Sequence, residues 1–283
     1  MEEQKVYVMD GAIGSYLQLL YAAVCQKKRV DYRYADFLQF DHFDLMQQVH
    51  SEYIYAGADI LKTGTCNLGN RSKLSLSSIT EKATRYGQIA NQVVVNNSKV
   101  VWGAIGPIYE PSAALRFDRY RAIIDGLLLG GISIFYFETI CHLYQLQEIK
   151  KLYEEYASTE IKLHISLTPK EDSENQILSG EPFTAACEIL KDIPTQSVGL
   201  NCFSILHTPV IDKMLHQMHA ATQKSLSLNP SLGIPHKGIY PRSKEETLEA
   251  LHTLLTDCYL RYVGGCCGIH PDFIEKLSKH KKY

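Results

Sequence analysis

The chain has 283 residues, of which 45% are hydrophobic and 21% are charged, and its formal net charge is −2. Lysine and arginine form no long block, which argues against a nucleic-acid partner because phosphate binding needs a clustered positive surface. No apolar stretch approaches the roughly 18 residues of a membrane span. The acidic start, Met1-Glu2-Glu3, is also unlike a signal peptide. We therefore expect a cytoplasmic protein without a membrane partner, whose eight cysteines are reduced thiols.

Short apolar segments alternate along the chain with longer amphipathic ones. Eight segments have the length and apolar character of strands, namely residues 6–9, 59–62, 100–104, 134–137, 162–167, 198–200, 225–228 and 262–263. The seventh and eighth are short and polar at their edges. Four intervening segments show helical spacing or a helix-start signal: Leu45 to Ala56, Tyr120 to Leu128, the start at Thr208-Pro209, and Leu248 to Leu255.

This alternation predicts an α/β protein with a parallel sheet and right-handed crossovers. Eight strand–helix units in 283 residues fit a closed (β/α)8 TIM barrel better than an open sheet. No Gly-x-Gly-x-x-Gly run follows the first strand, which argues against dinucleotide binding. We expect a single domain that spans residues 1–283.

The active site of such a barrel lies where the strands end at their carboxyl termini. Chemically distinctive residues follow four of the predicted strands: Asp10-Gly11-Ala12 after the first, Glu138-Thr139 after the fourth, Asn201-Cys202 after the sixth, and Gly264-Gly265-Cys266-Cys267-Gly268 after the eighth. Three cysteines and two carboxylates from four strands should therefore meet at one rim. Convergence of polar and thiol side chains from several strands is expected of a functional site and is not needed in a hydrophobic core.

The run Gly264-Gly265-Cys266-Cys267-Gly268 is the most specific of these segments. Adjacent cysteines in a regular strand point to opposite faces, but flanking glycines permit a bend that lets both face one ion. With Cys202 they form a three-thiolate set that leaves the fourth tetrahedral position of zinc open, as in catalytic zinc sites. A buried cysteine pair that only packs, or a vicinal disulfide, would explain the same sequence.

The two carboxylates admit a structural and a functional interpretation. Asp10 suits a turn cap as well as a binding site. The apolar residues before Glu138 predict a partly buried carboxylate that needs a cationic partner, and an amino group would serve. We expect the remaining cysteines to pack in the fold, although Cys66 and Cys141 follow strands and lie near the rim: Cys25, Cys66, Cys141, Cys187 and Cys258. Histidines such as His164, His207, His236 and His270 show no paired metal spacing, and we expect a structural role for each.

Taken together, the segments resemble the homocysteine S-methyltransferase family. The resemblance runs in order from Asp10 to beyond Pro271. It is carried by Asp10-Gly11-Ala12-Ile13-Gly14-Ser15, Ala56-Gly57-Ala58-Asp59-Ile60, Gly106-Pro107, Phe137-Glu138-Thr139, Gly199-Leu200-Asn201-Cys202 and Gly264-Gly265-Cys266-Cys267-Gly268. The double-glycine, double-cysteine run together with an upstream Asn-Cys is its most specific part.

The resemblance implies a complete site. Zn²⁺ would lie on Cys202, Cys266 and Cys267, with the sulfur of homocysteine as the fourth ligand and methionine as the product. Asp10 and Glu138 would hold the substrate's amino group, and the amides near Gly11 and Ala12 would lie close to its carboxylate. The implied substrate-binding set is Asp10, Gly11, Ala12, Glu138, Thr139 and Asn201. No catalytic side chain is implied beyond the zinc-activated thiolate of the substrate. The partners are then a methyl donor and a small molecule, which is homocysteine or a related thiol or selenol.

Two rim loops depart from the family pattern. The chain has Thr63-Gly64-Thr65-Cys66 where Thr-Asn-Thr-Phe is usual, and Asn229-Pro230-Ser231-Leu232-Gly233 where Tyr-Pro-Asn-x-Gly is common. The length leaves no room for cobalamin or folate modules, so we expect S-methylmethionine or S-adenosylmethionine as the donor. Betaine, or a methylfolate- or corrinoid-linked donor, is the alternative within the family. A non-catalytic zinc- or thiol-binding barrel is the alternative outside it.

Overall fold

A computed structural model describes residues 5–28, 42–95, 98–171, 173–233, 239–255 and 259–279. Its sheet has eight parallel strands: β1 (Tyr7–Val8), β2 (Ile60–Lys62), β3 (Val100–Ile105), β4 (Ile134–Ile140), β5 (Lys162–Leu167), β6 (Ser197–Asn201), β7 (Ser225–Asn229) and β8 (Leu260–Val263). Each overlaps a strand that the sequence predicts, including the short seventh and eighth. The predicted (β/α)8 TIM barrel is therefore confirmed.

The strands follow one another around the barrel in sequence order, and β8 returns to pair with β1. Closure between β1 and β2 depends on a single parallel bridge, Met9 to Ile60. Two backbone bonds support the bridge, from Asp10 N to Ile60 O at 2.9 Å and from Asp59 N to Val8 O at 2.6 Å. All eight carboxyl ends consequently meet at one rim.

Nine α-helices surround the barrel in the part of the chain that the structure describes: α1 (Ile13–Lys27), α2 (Phe43–Tyr55), α3 (Leu76–Val94), α4 (Ala113–Leu129), α5 (Leu143–Glu155), α6 (Phe183–Lys191), α7 (Thr208–Thr222), α8 (Lys244–Leu255) and α9 (Pro271–Lys279). The four predicted helical segments correspond to α2, α4, α7 and α8. Cys258 and His236 lie outside the described residues. None of the described helices combines the length and apolarity that crossing a membrane requires.

Side chains fill the interior of the barrel below the rim. Met9, Ile60, Trp102 and Tyr136 form a buried cluster there, and the His164 ring stacks on Trp102 with the ring centroids 3.7 Å apart. Burial lowers the pKa of His164 to about 3, so its imidazole is neutral at pH 7. The interior is therefore a packed floor under the rim, and His164 has the structural role that we expect for it.

We predict that His50 in α2 makes folding sensitive to acid. Its side chain is fully buried, and its ring nitrogens have no hydrogen-bond partner among the described residues. Burial lowers its pKa to about 4 in the folded protein, against about 6.5 in an unfolded chain. The unfolded chain thus takes up a proton at a higher pH than the folded one, and stability falls as the pH drops below about 6.5.

The matched variant is His50→Leu, which retains every other titrating group. Between pH 7 and pH 5 the wild type should lose about 2 kcal/mol of unfolding free energy relative to the variant. Urea unfolding of both proteins at the two pH values measures this difference. A difference between the proteins that stays the same at both pH values contradicts the prediction.

Candidate functional site

Three cysteine sulfurs converge at the rim of the barrel. Cys202 directly follows β6, and Cys266 and Cys267 come three and four residues after the end of β8. The three sulfurs lie within 4.8 Å of one another, and the sulfurs of Cys202 and Cys267 are 4.0 Å apart. Tetrahedral zinc with Zn–S bonds of about 2.3 Å needs sulfurs about 3.8 Å apart. A small contraction of this cluster would fit the ion, and the donor set of three thiols suits it.

The end of β7 and the loop after it fix both cysteine segments through backbone hydrogen bonds. The Cys202 amide donates to Asn229 O at 3.0 Å, and the Cys266 amide donates to Pro230 O at 2.8 Å. The Leu232 amide in turn donates to Cys267 O at 2.9 Å. One short loop therefore sets the spacing of the three sulfurs, which sit on two strands that are not neighbours in the barrel.

A turn lets both adjacent cysteines face the same point. The chain leaves extended geometry at Cys267, and Gly268 has a φ of +82°, a left-handed conformation that glycine adopts without strain. Cys266 and Cys267 are free thiols, so no vicinal disulfide joins them. Hydrogen bonds from the thiols of Cys202 and Cys266 lower the pKa of Cys267, which favours a thiolate in this cluster.

Asn201 and Thr139 connect the ends of β6 and β4. The buried Asn201 side chain accepts a hydrogen bond from the Thr139 amide at 2.9 Å and donates one to its hydroxyl at 3.0 Å. Thr139 and Cys202 both have left-handed backbones, with φ values of 63° and 61°. Such backbones cost about 1–3 kcal/mol each and persist only where their surroundings enforce them. The Asn201 amide is part of that enforcement, and it aims Glu138 and Cys202 at the same region.

A buried lysine lies between the two predicted carboxylates. The Nζ atom of Lys62 is 3.5 Å from Asp10 Oδ1 and 3.9 Å from Glu138 Oε2, and it donates to Gly265 O at 3.1 Å. The Lys62 amide also donates to Asp10 Oδ2 at 2.7 Å. The three side chains are almost completely buried, and that of Asp10 has no exposed surface. The cation that Glu138 requires is thus supplied by the chain itself.

Burial and charge act in opposite directions on these groups. Burial raises the pKa of Asp10 to about 7, against the lowering effect of the Lys62 charge. Burial likewise raises the pKa of Glu138. For Lys62, burial alone would lower the pKa, but the charges of Glu138 and Asp10 outweigh it and raise the pKa above its ordinary value. Lys62 is therefore a stable ammonium ion next to the cysteine cluster.

The remaining predicted substrate-binding residues lie at the same rim but have protein partners. The Ala12 amide donates to Ile269 O at 2.8 Å, and the Tyr53 hydroxyl donates to Ala12 O at 2.9 Å. Gly11 packs so closely against the Ile269 carbonyl that a Cβ atom would overlap it. The roles of Gly11 and Ala12 as substrate contacts stay predictions, as do those of Asp10, Glu138, Thr139 and Asn201.

Sequence reasoning missed two residues of this region, Lys62 and Cys66. Lys62 is the last residue of an apolar strand and comes two residues after Ile60. Side chains two residues apart in a strand lie on the same face, so the side chain of Lys62 points into the barrel, as that of Ile60 does. That two-residue period was the available signal. The Cys66 thiol, which we expected only to pack, lies close enough to the Glu138 carboxyl to lower its pKa, against the raising effect of burial. Cys141 also lies near the rim, where its thiol donates to Thr139 O at 3.0 Å.

The comparison with protein families agrees with this geometry. The model of the family described as homocysteine S-methyltransferase matches residues 7–280. The chain belongs to the homocysteine S-methyltransferase family. The resemblance inferred from the rim segments is therefore confirmed, and the members of this family are methyltransferases.

Individual relatives extend the comparison. The chain is 26% identical to the methionine synthases of Mycobacterium leprae and Mycobacterium tuberculosis over 97% of its own length, but it spans only 24% of theirs. Among solved structures it resembles the homocysteine methyltransferase MmuM from Escherichia coli. The metallated form has a TM-score of 0.76 at 18% identity, and the apo form 0.74 at 20% identity, over 98–99% of this chain and 97% of the other. These homocysteine S-methyltransferase structures share the barrel fold.

We predict that Asn201→Ala destabilises the protein. The substitution removes two hydrogen bonds and leaves the partly buried Thr139 amide without its acceptor, which should lower the unfolding free energy by about 2 kcal/mol. Urea unfolding measures the loss. Thr139→Ser keeps both hydrogen bonds and is the matched control, for which we expect a much smaller change. Equal stability of Asn201→Ala and the wild type would show that the bridge between β4 and β6 is unimportant.

Proposed function

We propose that residues 1–283 act as one catalytic barrel that transfers a methyl group to the sulfur of homocysteine or of a related small thiol. The observation that carries this proposal is the convergence of the Cys202, Cys266 and Cys267 sulfurs within 4.8 Å of one another at the rim. Membership in the homocysteine S-methyltransferase family supports it. For homocysteine itself, the product is methionine.

In this proposal the three cysteines hold Zn²⁺ through their sulfurs. Bound zinc supplies Lewis acidity that lowers the pKa of a thiol, so that a thiolate is available at neutral pH. The chain contributes the rest by positioning. The loop after β7 fixes the spacing of the sulfurs, and Asn201 holds the ends of β4 and β6 together. The packed barrel floor under the rim keeps water from approaching from below.

The donor belongs to the proposal as well. We propose a methylsulfonium compound, S-methylmethionine or S-adenosylmethionine. A thiolate attacks the methyl carbon of the sulfonium in line, the carbon–sulfur bond of the donor breaks, and a neutral thioether, which is a good leaving group, departs with the bonding electrons. The protein then needs no acid or base at the methyl carbon, only alignment of the two sulfurs. This agrees with the expectation that no catalytic side chain acts besides the activated thiol.

We predict about one zinc ion per chain in the purified protein. Alanine substitution of Cys202, Cys266 or Cys267 should abolish tight zinc binding, because two thiolates alone make a poor site. Elemental analysis after dialysis against a weak chelator gives the stoichiometry, and circular dichroism checks that the barrel remains folded. Cys66→Ala is the matched control, since its sulfur lies beside the cluster but outside the three converging ligands. Full zinc content in any of the three variants would refute the assignment of ligands.

We also predict that the zinc-loaded protein methylates a small thiol. Incubation with a panel of thiols and each candidate donor, followed by mass spectrometry of the thioether, tests this directly. Product should form with a sulfonium donor and fall to background in Cys266→Ala. If product forms only with betaine or methylfolate, the sulfonium donor that we propose is wrong. If zinc is bound and no donor yields product with any thiol in the panel, the barrel is a non-catalytic zinc- or thiol-binding protein.

A further inference from the structure

The ammonium group of Lys62 occupies a position next to the thiol cluster. Its Nζ atom donates to the carbonyl of Gly265, the residue that immediately precedes Cys266. The Cys266 thiol is close enough to contribute to the raised pKa of Lys62, so a thiol whose sulfur binds among Cys202, Cys266 and Cys267 lies near this ammonium. The charge that this part of the site presents to a ligand depends on the partners that Lys62 already has.

The partners of Lys62 are all within the protein. Three acceptors lie within 4 Å of its Nζ atom: Gly265 O at 3.1 Å, Asp10 Oδ1 at 3.5 Å and Glu138 Oε2 at 3.9 Å. Of these contacts, the one with Gly265 O is a hydrogen bond, and those with the two carboxylates are ion pairs, in which Asp10 Oδ1 has no hydrogen-bond partner among the described residues. Lys62 is thus arranged as an internal counter-ion for the two carboxylates.

The two carboxylates are also buried. The Asp10 side chain has no exposed surface, and that of Glu138 is 9% exposed. The Cys66 thiol also lies close enough to Glu138 to lower the pKa of its carboxyl, against the raising effect of burial. A second ammonium that sought these carboxylates would have to displace Lys62 or lie against it. Like charges at such short range in a buried site repel strongly.

We infer that Lys62 takes the place of a substrate ammonium, and that the thiol accepted by this site carries no amino group near its reacting sulfur. The inference rests on the proposed function, because it assumes that a thiol binds at the cysteine cluster. The substrate class is then a small thiol that is neutral or a carboxylate, such as 4-mercaptobutyrate. This compound is homocysteine with its amino group replaced by hydrogen, so the two thiols form a matched pair of probes.

Calorimetric titration of the zinc-loaded protein with each thiol tests the inference. The wild type should bind 4-mercaptobutyrate roughly tenfold or more tightly than homocysteine. Lys62→Met removes the internal ammonium and frees the two carboxylates for a ligand. It should bind homocysteine roughly tenfold or more tightly than the wild type does, with little change for 4-mercaptobutyrate.

Two further variants keep the experiment decisive. Lys62→Met leaves two buried carboxylates unpaired and can impair folding. Lys62→Gln removes the charge but keeps an amide donor, and it should shift the preference in the same direction. Lys99→Met is the matched control, because Lys99 pairs with Asp59 at 3.1 Å where β2 and β3 begin, at the other end of the barrel. It should retain the wild-type preference.

The possible outcomes separate the two proposals. If the zinc-loaded wild type binds homocysteine as tightly as 4-mercaptobutyrate, or more tightly, Lys62 does not exclude an amino group and the inference is wrong. A preference that Lys62→Gln and Lys62→Met leave unchanged also overturns it. If the zinc-loaded protein binds neither thiol, the proposed function itself fails, and this inference fails with it.

Discussion

Closure of the barrel between β1 and β2 is the constraint on which the site depends. These strands are only two and three residues long, and a single bridge between Met9 and Ile60 joins them. The Asp10 carboxylate adds to this junction by accepting a hydrogen bond from the Lys62 amide at 2.7 Å. The Asp10 side chain therefore helps to close the barrel and also belongs to the charge cluster at the rim. A substitution of Asp10 would affect both the closure and the charge cluster.

The buried charges of Asp10, Lys62 and Glu138 are better understood as an arrangement for specificity than as a source of stability. Burying an ion pair costs about as much desolvation energy as the attraction returns, whereas removing one partner is strongly destabilising. The protein therefore tolerates the cluster only while it is complete. With its own counter-ion, the site presents one unit less of negative charge to a ligand than it would with the two carboxylates alone. Lys62 decides between these alternatives.

The geometry of the cysteine cluster comes from long-range backbone bonds rather than from local sequence. Cys202 and the pair at 266–267 are more than 60 residues apart in the chain, and the loop that begins at Asn229 joins them. This loop departs from the usual family pattern, yet it still offers the carbonyl groups of Asn229 and Pro230 to the two cysteine segments. Backbone acceptors do this regardless of side chain, which explains why the altered sequence retains the convergence of the sulfurs.

The sequence alone determined the fold and the meeting of the three cysteines at one rim, because strand periodicity and barrel topology place residues that follow strands at the same end. The periodicity was sufficient even for the short eighth strand, where four residues, Leu260–Val263, replace the two predicted. Only the tertiary structure revealed that Asp10 and Glu138 share an internal cation. A carboxylate that follows an apolar strand shows the need for a partner but not its source. The partner is Lys62, which β2 directs toward the two carboxylates. Lys62 lies 52 residues from Asp10 along the chain, so only the closed barrel brings them together.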